Sequence, residues 1–268
     1  MWDDIVSEKP ALWIWLGDNI YGDSEDMNVL RSKYSKQKAD TGYQKLLKLC
    51  PVIGTWDDHD YGMNDGGKNY KMKDASQQAM LDFLDVPKND PRRTRKGVYT
   101  SYDLATKIAK VKVILLDTRF FRDDLVKENG KYIPQQNGTV LGEEQWKWLE
   151  GELNASDADV HIIASSIQVI PEEHDFEKWA NFSNERKRLL DLITNAGTKN
   201  PVLISGDRHI GEISMIAWNN ELIYEVTSSS LTHGWSSIRP EANKYRPASI
   251  VYSENYGVLE ISKSANKI

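Results

Sequence analysis

Three carboxylates and one imidazole stand in a row at Asp57-Asp58-His59-Asp60, directly after the apolar run Pro51-Val52-Ile53-Gly54. Like charges beside a core repel one another, and a desolvated carboxylate needs a partner. A metal ion would neutralise them. His59 could then ligate the metal, act as a general acid or donate to a transition state. A solvated loop is the plainer alternative, set against the apolar strand that runs straight into the motif.

Gly17-Asp18-Asn19-Ile20-Tyr21 is the second such place. An aspartate after a buried strand is a good oxygen ligand for a hard cation and can bridge two of them. Tyr21 could add a phenolate if a ferric-type ion lowered its pKa. An Asx-turn at a strand end would also account for Asp18. In Gly206-Asp207-Arg208-His209 a carboxylate and an imidazole stand two residues apart. If that segment stays extended, both face the same way and reach one metal centre. Arg119 and Arg122 flank Phe120-Phe121 and suit bidentate recognition of phosphate or carboxylate, or a surface salt bridge. His161 reads as a structural strand residue, His174 as a polar loop residue, and His233 as lining a pocket at most.

These residues need elements to hold them. Apolar runs predict strands at 11–16, 52–56, 111–116, 160–164 and 201–205. Residues 215–218 and 222–226 flank Asn219-Asn220, a hairpin turn, and 257–262 predict one more strand. Helices are expected at 27–38, 42–49, 75–84, 143–153 and 182–194, with a polar loop at 89–95. Strand, polar motif and helix recur in that order, which makes the fold α/β. In such sheets sites form at the carboxyl ends of strands. Asp18, the Asp57–His59 motif, Arg119 and the Asp207/His209 pair all sit there, so a shared crevice is expected.

The 268 residues, 28% charged and 40% hydrophobic, suit one large globular domain or two small ones. A net charge of −6 gives no bias toward nucleic acid or anionic membrane. No apolar run approaches the roughly 18 residues of a membrane span. Met1-Trp2-Asp3-Asp4 is acidic where a secretory signal would be basic. The single cysteine, Cys50, excludes an internal disulfide and reads as core packing. Nine tryptophans, several beside charged motifs, hint at an aromatic-walled site.

As a set, Trp15–Tyr21, Trp56–Gly62, Asp117-Thr118-Arg119, Glu177–Asn181 and Ser205–His209 resemble the PhoD-like (alkaline phosphatase D) family of the calcineurin-like metallophosphoesterase superfamily. The resemblance runs over about residues 2–235, within one PhoD-like domain spanning 1–268. It implies a four-layer αββα sandwich with two mixed sheets and a two-metal centre. The metals it implies are iron and calcium, with zinc, manganese or magnesium as alternatives. By position, Asp18 resembles the bridging aspartate and Tyr21 the tyrosine ligand. Asp58, Asp207 and His209 fall on the remaining metal ligands, and His59 on the catalytic histidine. Arg119 looks placed to hold substrate phosphate, with Arg122 and Trp179 bearing on substrate. The family's first strand, often ending in a cysteine ligand, has no counterpart ahead of Asp18. The domain therefore reads as N-terminally truncated, one ion should bind weakly, and the exposed sheet edge invites self-association. The family is usually exported, which the missing signal leaves unsupported.

The activity implied is metal-dependent hydrolysis of phosphomonoesters, phosphodiesters or both, with a small phosphorylated substrate. A catalytically impaired phosphate- or ligand-binding module on the same scaffold is the alternative, and a single-metal hydrolase of non-phosphate substrates a weaker third.

Overall fold

The structure, a computed structural model, describes residues 1–234 and 241–263. The chain opens with α1 (Trp2–Ser7) and β1 (Trp13–Leu16). It continues through α2 (Met27–Ala39), α3 (Thr41–Leu49), β2 (Val52–Thr55), the single turn α4 (Asp58–Tyr61) and α5 (Lys73–Phe83). Then come β3 (Thr100–Ala105), β4 (Lys110–Leu115), the small hairpin β5 (Val126–Glu128) and β6 (Lys131–Ile133), and α6 (Gly142–Asn154). The last elements are β7 (Val160–Ser165), α7 (Ser183–Asn195), β8 (Pro201–Ser205), β9 (Gly211–Trp218) and β10 (Glu221–Ser228).

Two sheets carry the site. β1 and β2 pair in parallel, Trp13 opposite Val52 and Leu16 opposite Thr55. The larger sheet is mixed, in the order β3-β4-β7-β8-β10-β9. Its centre is parallel, and the antiparallel β3 and β9 close its two ends.

The period of two along each strand sorts the cores. Ile14, Leu16 and Ile53 turn inward between the sheets and meet Val111, Val113, Leu115, Ile162 and Ala164. Trp13 and Trp15 turn outward onto α1, α3 and α5, where Trp2, Tyr43 and Phe83 form an aromatic cluster around them. On the far face of the large sheet, Ile114, Ile163 and Leu203 pack against Trp146, Leu149 and Leu153 of α6 and Leu189, Leu190 and Ile193 of α7. The layers are thus helix, sheet, sheet, helix. Asp40 caps α3, accepting from Gly42 and Tyr43, and Asp26 caps α2.

Several expectations shift. Residues 257–262 form no strand: Val258 and Leu259 are exposed and the segment runs as irregular chain. β3 was not expected, because polar Ser101 and Asp103 and its exposure as an edge strand weaken the apolar pattern. Cys50 is buried at the end of α3. Among the described residues no helix is long and apolar enough to cross a membrane.

Candidate metal centre

Two glycines let the strand ends converge. Gly17 has φ 102°, and a Cβ there would fall 2.3 Å from Asp57 Cβ. A Cβ on Gly206 would lie 2.6 Å from the Leu16 carbonyl oxygen. No side chain fits either place, so β1 and β8 approach their neighbours as bare backbone. Polar bonds then pin the sheets together: Thr55 Oγ1 donates to the Leu116 carbonyl at 2.7 Å and Trp56 Nε1 to Asp117 at 2.9 Å.

Asp18, itself at φ 50°, is the hub. Asp18, His59 and His209 each offer a ligand atom within 4.8 Å of the others, and so do Asp18, Asp57 and Asp58. The Tyr21 hydroxyl lies 2.9 Å from His209 Nε2. Asp58 accepts from its neighbour His59 N at 2.9 Å and from Asp65 N at 2.7 Å. Asp60 serves the frame instead, accepting from Asp57 N at 2.6 Å and from the Asn19 amide at 2.5 Å.

Asp207 arrives differently from expectation. The Gly206–His209 segment is not extended, since Asp207 and His209 both have left-handed φ, 68° and 54°. The chain must turn between the end of β8 and the start of β9. His209 still reaches Asp18, at 3.9 Å. Asp207 stays outside both ligand groups, although its charge is felt by Asp18.

The charges here are unbalanced. Burial first, and then Asp58, Asp57, Asp60 and Asp207, hold Asp18 well above the usual carboxylate range. Burial lifts Asp57 to about 7 against the pull of Arg119, and Asp60 to about 8. Burial also opposes Asp58, but Arg119, His59 and two backbone amides hold it low. His209 is lowered to about 4 by burial, with His59 and His233 adding to the effect. His59 is raised: burial works against its charge, and Asp58 and Asp23 outweigh it. Both oxygens of Asp18, and Oδ2 of Asp57, are buried without a hydrogen-bond partner. Orphaned carboxylate oxygens beside imidazoles and a phenol are what a hard or borderline cation engages. The residues fit a metal.

The arginines lie elsewhere than expected. Arg119 and Arg122 are wholly buried. Arg119 donates to Asp57 Oδ1 at 2.6 Å and to Glu177 Oε2 at 2.6 Å. Arg122 pairs with Glu177 Oε1 at 2.8 Å and donates to the Gly66 carbonyl at 2.9 Å. Both guanidiniums are committed to groups of the chain, so neither is placed to clamp a phosphate. Trp179 is also wholly buried, its indole donating to Ser165 Oγ at 2.9 Å and packing edge-on to Trp146. It is a core residue, not a substrate wall.

Sequence reasoning gave no role to Asp23, had Glu177 only within a resembling motif, and placed His233 at a pocket. Asp23 bonds His59 Nδ1 at 2.7 Å. Glu177 anchors both arginines. The exposed His233 has its ring 4.0 Å from that of Tyr21 and 6.1 Å from that of His209. Only Asp23, close after Asp18 on the same loop, carried a local signal.

Comparison with known proteins follows the same lines. A family model described as PhoD-like phosphatase matches residues 1–261. The chain is similar to alkaline phosphatase D of Bacillus subtilis (strain 168), 24% identical over 228 residues, covering 75% of this chain and 37% of that protein. It shares its fold with a solved structure of PhoD at a TM-score of 0.72 and 20% identity, covering 87% of this chain and 54% of the other. It thus spans little more than a third of the curated relative's length and about half of the solved one's.

Proposed function

The chain belongs to the PhoD-like phosphatase family, and from that premise we propose that it is a metal-dependent hydrolase of small phosphate esters. The observation that carries this reading is the pair of overlapping ligand groups sharing Asp18, whose buried oxygens have no partner. Asp18, Asp57 and Asp58 would hold one ion, and Asp18, His209 and Tyr21 a second, with iron and calcium the metals the family resemblance implies. Bound there, metal supplies Lewis-acid stabilisation of phosphoryl oxygens and a water of lowered pKa. His59, held by Asp23 at its rim, donates a proton to the leaving oxygen. His233 bounds the mouth. Mono- and diesters are both open as substrates, and copies associating along the free edge of β1 would show as dimers in light scattering.

Aryl phosphate monoesters and diesters, assayed across a metal panel and with chelator, test the reading. Hydrolysis abolished by chelator and restored by one of the panel metals is the expected result. Metal binding without turnover would favour the alternative, an impaired binding module, which the withdrawal of Arg119 and Arg122 from the opening supports. If Asp23 orients His59, Asp23→Asn should lower kcat by about 10–100-fold, the usual scale for an outer-shell partner. KM should be nearly unchanged, and an unaltered kcat would remove Asp23 from the mechanism.

A further inference from the structure

Beside the metal cluster lies a second set of charges that nothing above uses. Arg208 stands between Asp207 and His209, and Lys178 follows Glu177. Both are buried, and so is His174. Arg208 sits 4.2 Å over the ring of Phe176, and the His174 ring is 6.3 Å from that same ring. Lys178 Nζ donates to the carbonyls of His174 at 2.6 Å and Phe176 at 3.0 Å. Arg246 is close enough to add its charge to theirs at His174.

These groups are under-answered. Arg208 pairs with Glu241 at 2.5 Å and Arg246 with Glu212, while Asp175 and Glu177, whose charges reach Lys178, are held by Lys131, Arg119 and Arg122. Lys178 meets only carbonyl oxygens in its hydrogen bonds. Two buried N–H positions also lack an acceptor. Arg208 Nε has none. His174 Nδ1 accepts from Phe176 N at 3.3 Å, which puts the proton of the neutral ring on Nε2, and Nε2 is buried and unpartnered too. A buried donor without an acceptor costs about 1–3 kcal/mol, and among the described residues this site has two of them beside a cation with no carboxylate of its own. Each missing partner is an acceptor, and the surrounding cations favour one that carries negative charge.

We propose that His174, Lys178 and Arg208, with Arg246 at the rim, form an oxyanion-binding subsite next to the metal centre. Arg246 also lines an open pocket of about 470 Å³ with residues 247–250 and Tyr252. Arg208 adjoins His209 of the centre and its charge acts there, so an anion here would lie near the metal cluster. Resting on the phosphoesterase reading, the subsite takes a second phosphoryl, sulfuryl or carboxyl group of the substrate. Its binding of an oxyanion does not depend on that reading.

The test titrates inorganic sulfate into the full chain by calorimetry, with and without chelator, for wild type, His174→Leu and Lys178→Met. The expected result is one saturable site that survives chelator and weakens at least tenfold in each variant, with circular dichroism unchanged. No saturable sulfate binding to the wild type would overturn the proposal, whatever the variants do. Binding that both substitutions leave intact and chelator removes would place the ion on the metal cluster and overturn it equally. Sulfate binding as expected in a chain that hydrolyses no phosphate ester would leave the subsite standing and refute the phosphoesterase reading alone.

Discussion

Replacement of His59 by alanine is expected to lower kcat for phosphate ester hydrolysis by about 10²–10⁴-fold, the usual contribution of a positioned general acid or base. The ring is half-buried, and Nδ1 is taken by Asp23. A ligand atom of His59 lies within 4.8 Å of those of Asp18 and His209, so the imidazole borders the cluster where a phosphoryl group would be held. It fills no apolar core, so its loss should leave the melting temperature nearly unchanged. Steady-state kinetics and a thermal melt on the same preparation check both halves. Wild-type turnover in the variant would remove His59 from the chemistry, and a large fall in melting temperature would make it a structural residue.

Arg119→Met carries the largest expected effect on stability. The guanidinium lies between Asp57 and Glu177 with all three side chains buried. Removing it strands two carboxylates, and breaking such a buried pair costs about 3–5 kcal/mol. Methionine keeps much of the volume, so the loss is electrostatic. The sign with pH follows. With Arg119 in place burial already holds Asp57 near 7 and Glu177 above its usual range, and losing the guanidinium lifts both further, so the folded variant binds more protons than folded wild type only above those values. The deficit against wild type should therefore be nearly level at acidic pH and widen as pH rises through about 7. Urea denaturation at several pH values reads it, and Arg119→Met with Glu177→Gln should recover part of the loss. Equal stability at neutral pH would show that the pair is not what holds this layer.

How far the sequence carried this reading varied with the physics involved. Continuous apolar runs made β1, β2, β4, β7 and β8 legible, because buried parallel strands need no alternation. The hairpin of β9 and β10 was legible from Asn219-Asn220. Asp18, Asp58, His59 and His209 were legible because each follows such a strand. The fate of Arg119, Arg122 and Trp179 was not. Whether a guanidinium faces solvent or a buried carboxylate depends on Glu177, 58 positions from Arg119, and no local pattern encodes that partnership. The turn at Asp207 was equally hidden, since left-handed backbone at an aspartate and a histidine has no compositional mark as a glycine would.

Gly17 lets the ends of β1 and β2 close on each other within the small sheet, and Gly206 lets the large sheet approach β1 where the acidic residues gather. Asp18, Asp57, Asp58 and His59 come from the small sheet, and His209 from the large one, up to 191 positions later in the chain. The contact of Asp18 with His209 is therefore of very long range, and closing it carries a larger loop entropy cost than bringing Asp18 to Asp57 and Asp58. A cation held by Asp18 and His209 would act as a rivet through two plates, the small sheet and the large one, whereas one held by Asp18, Asp57 and Asp58 would sit in the small plate alone.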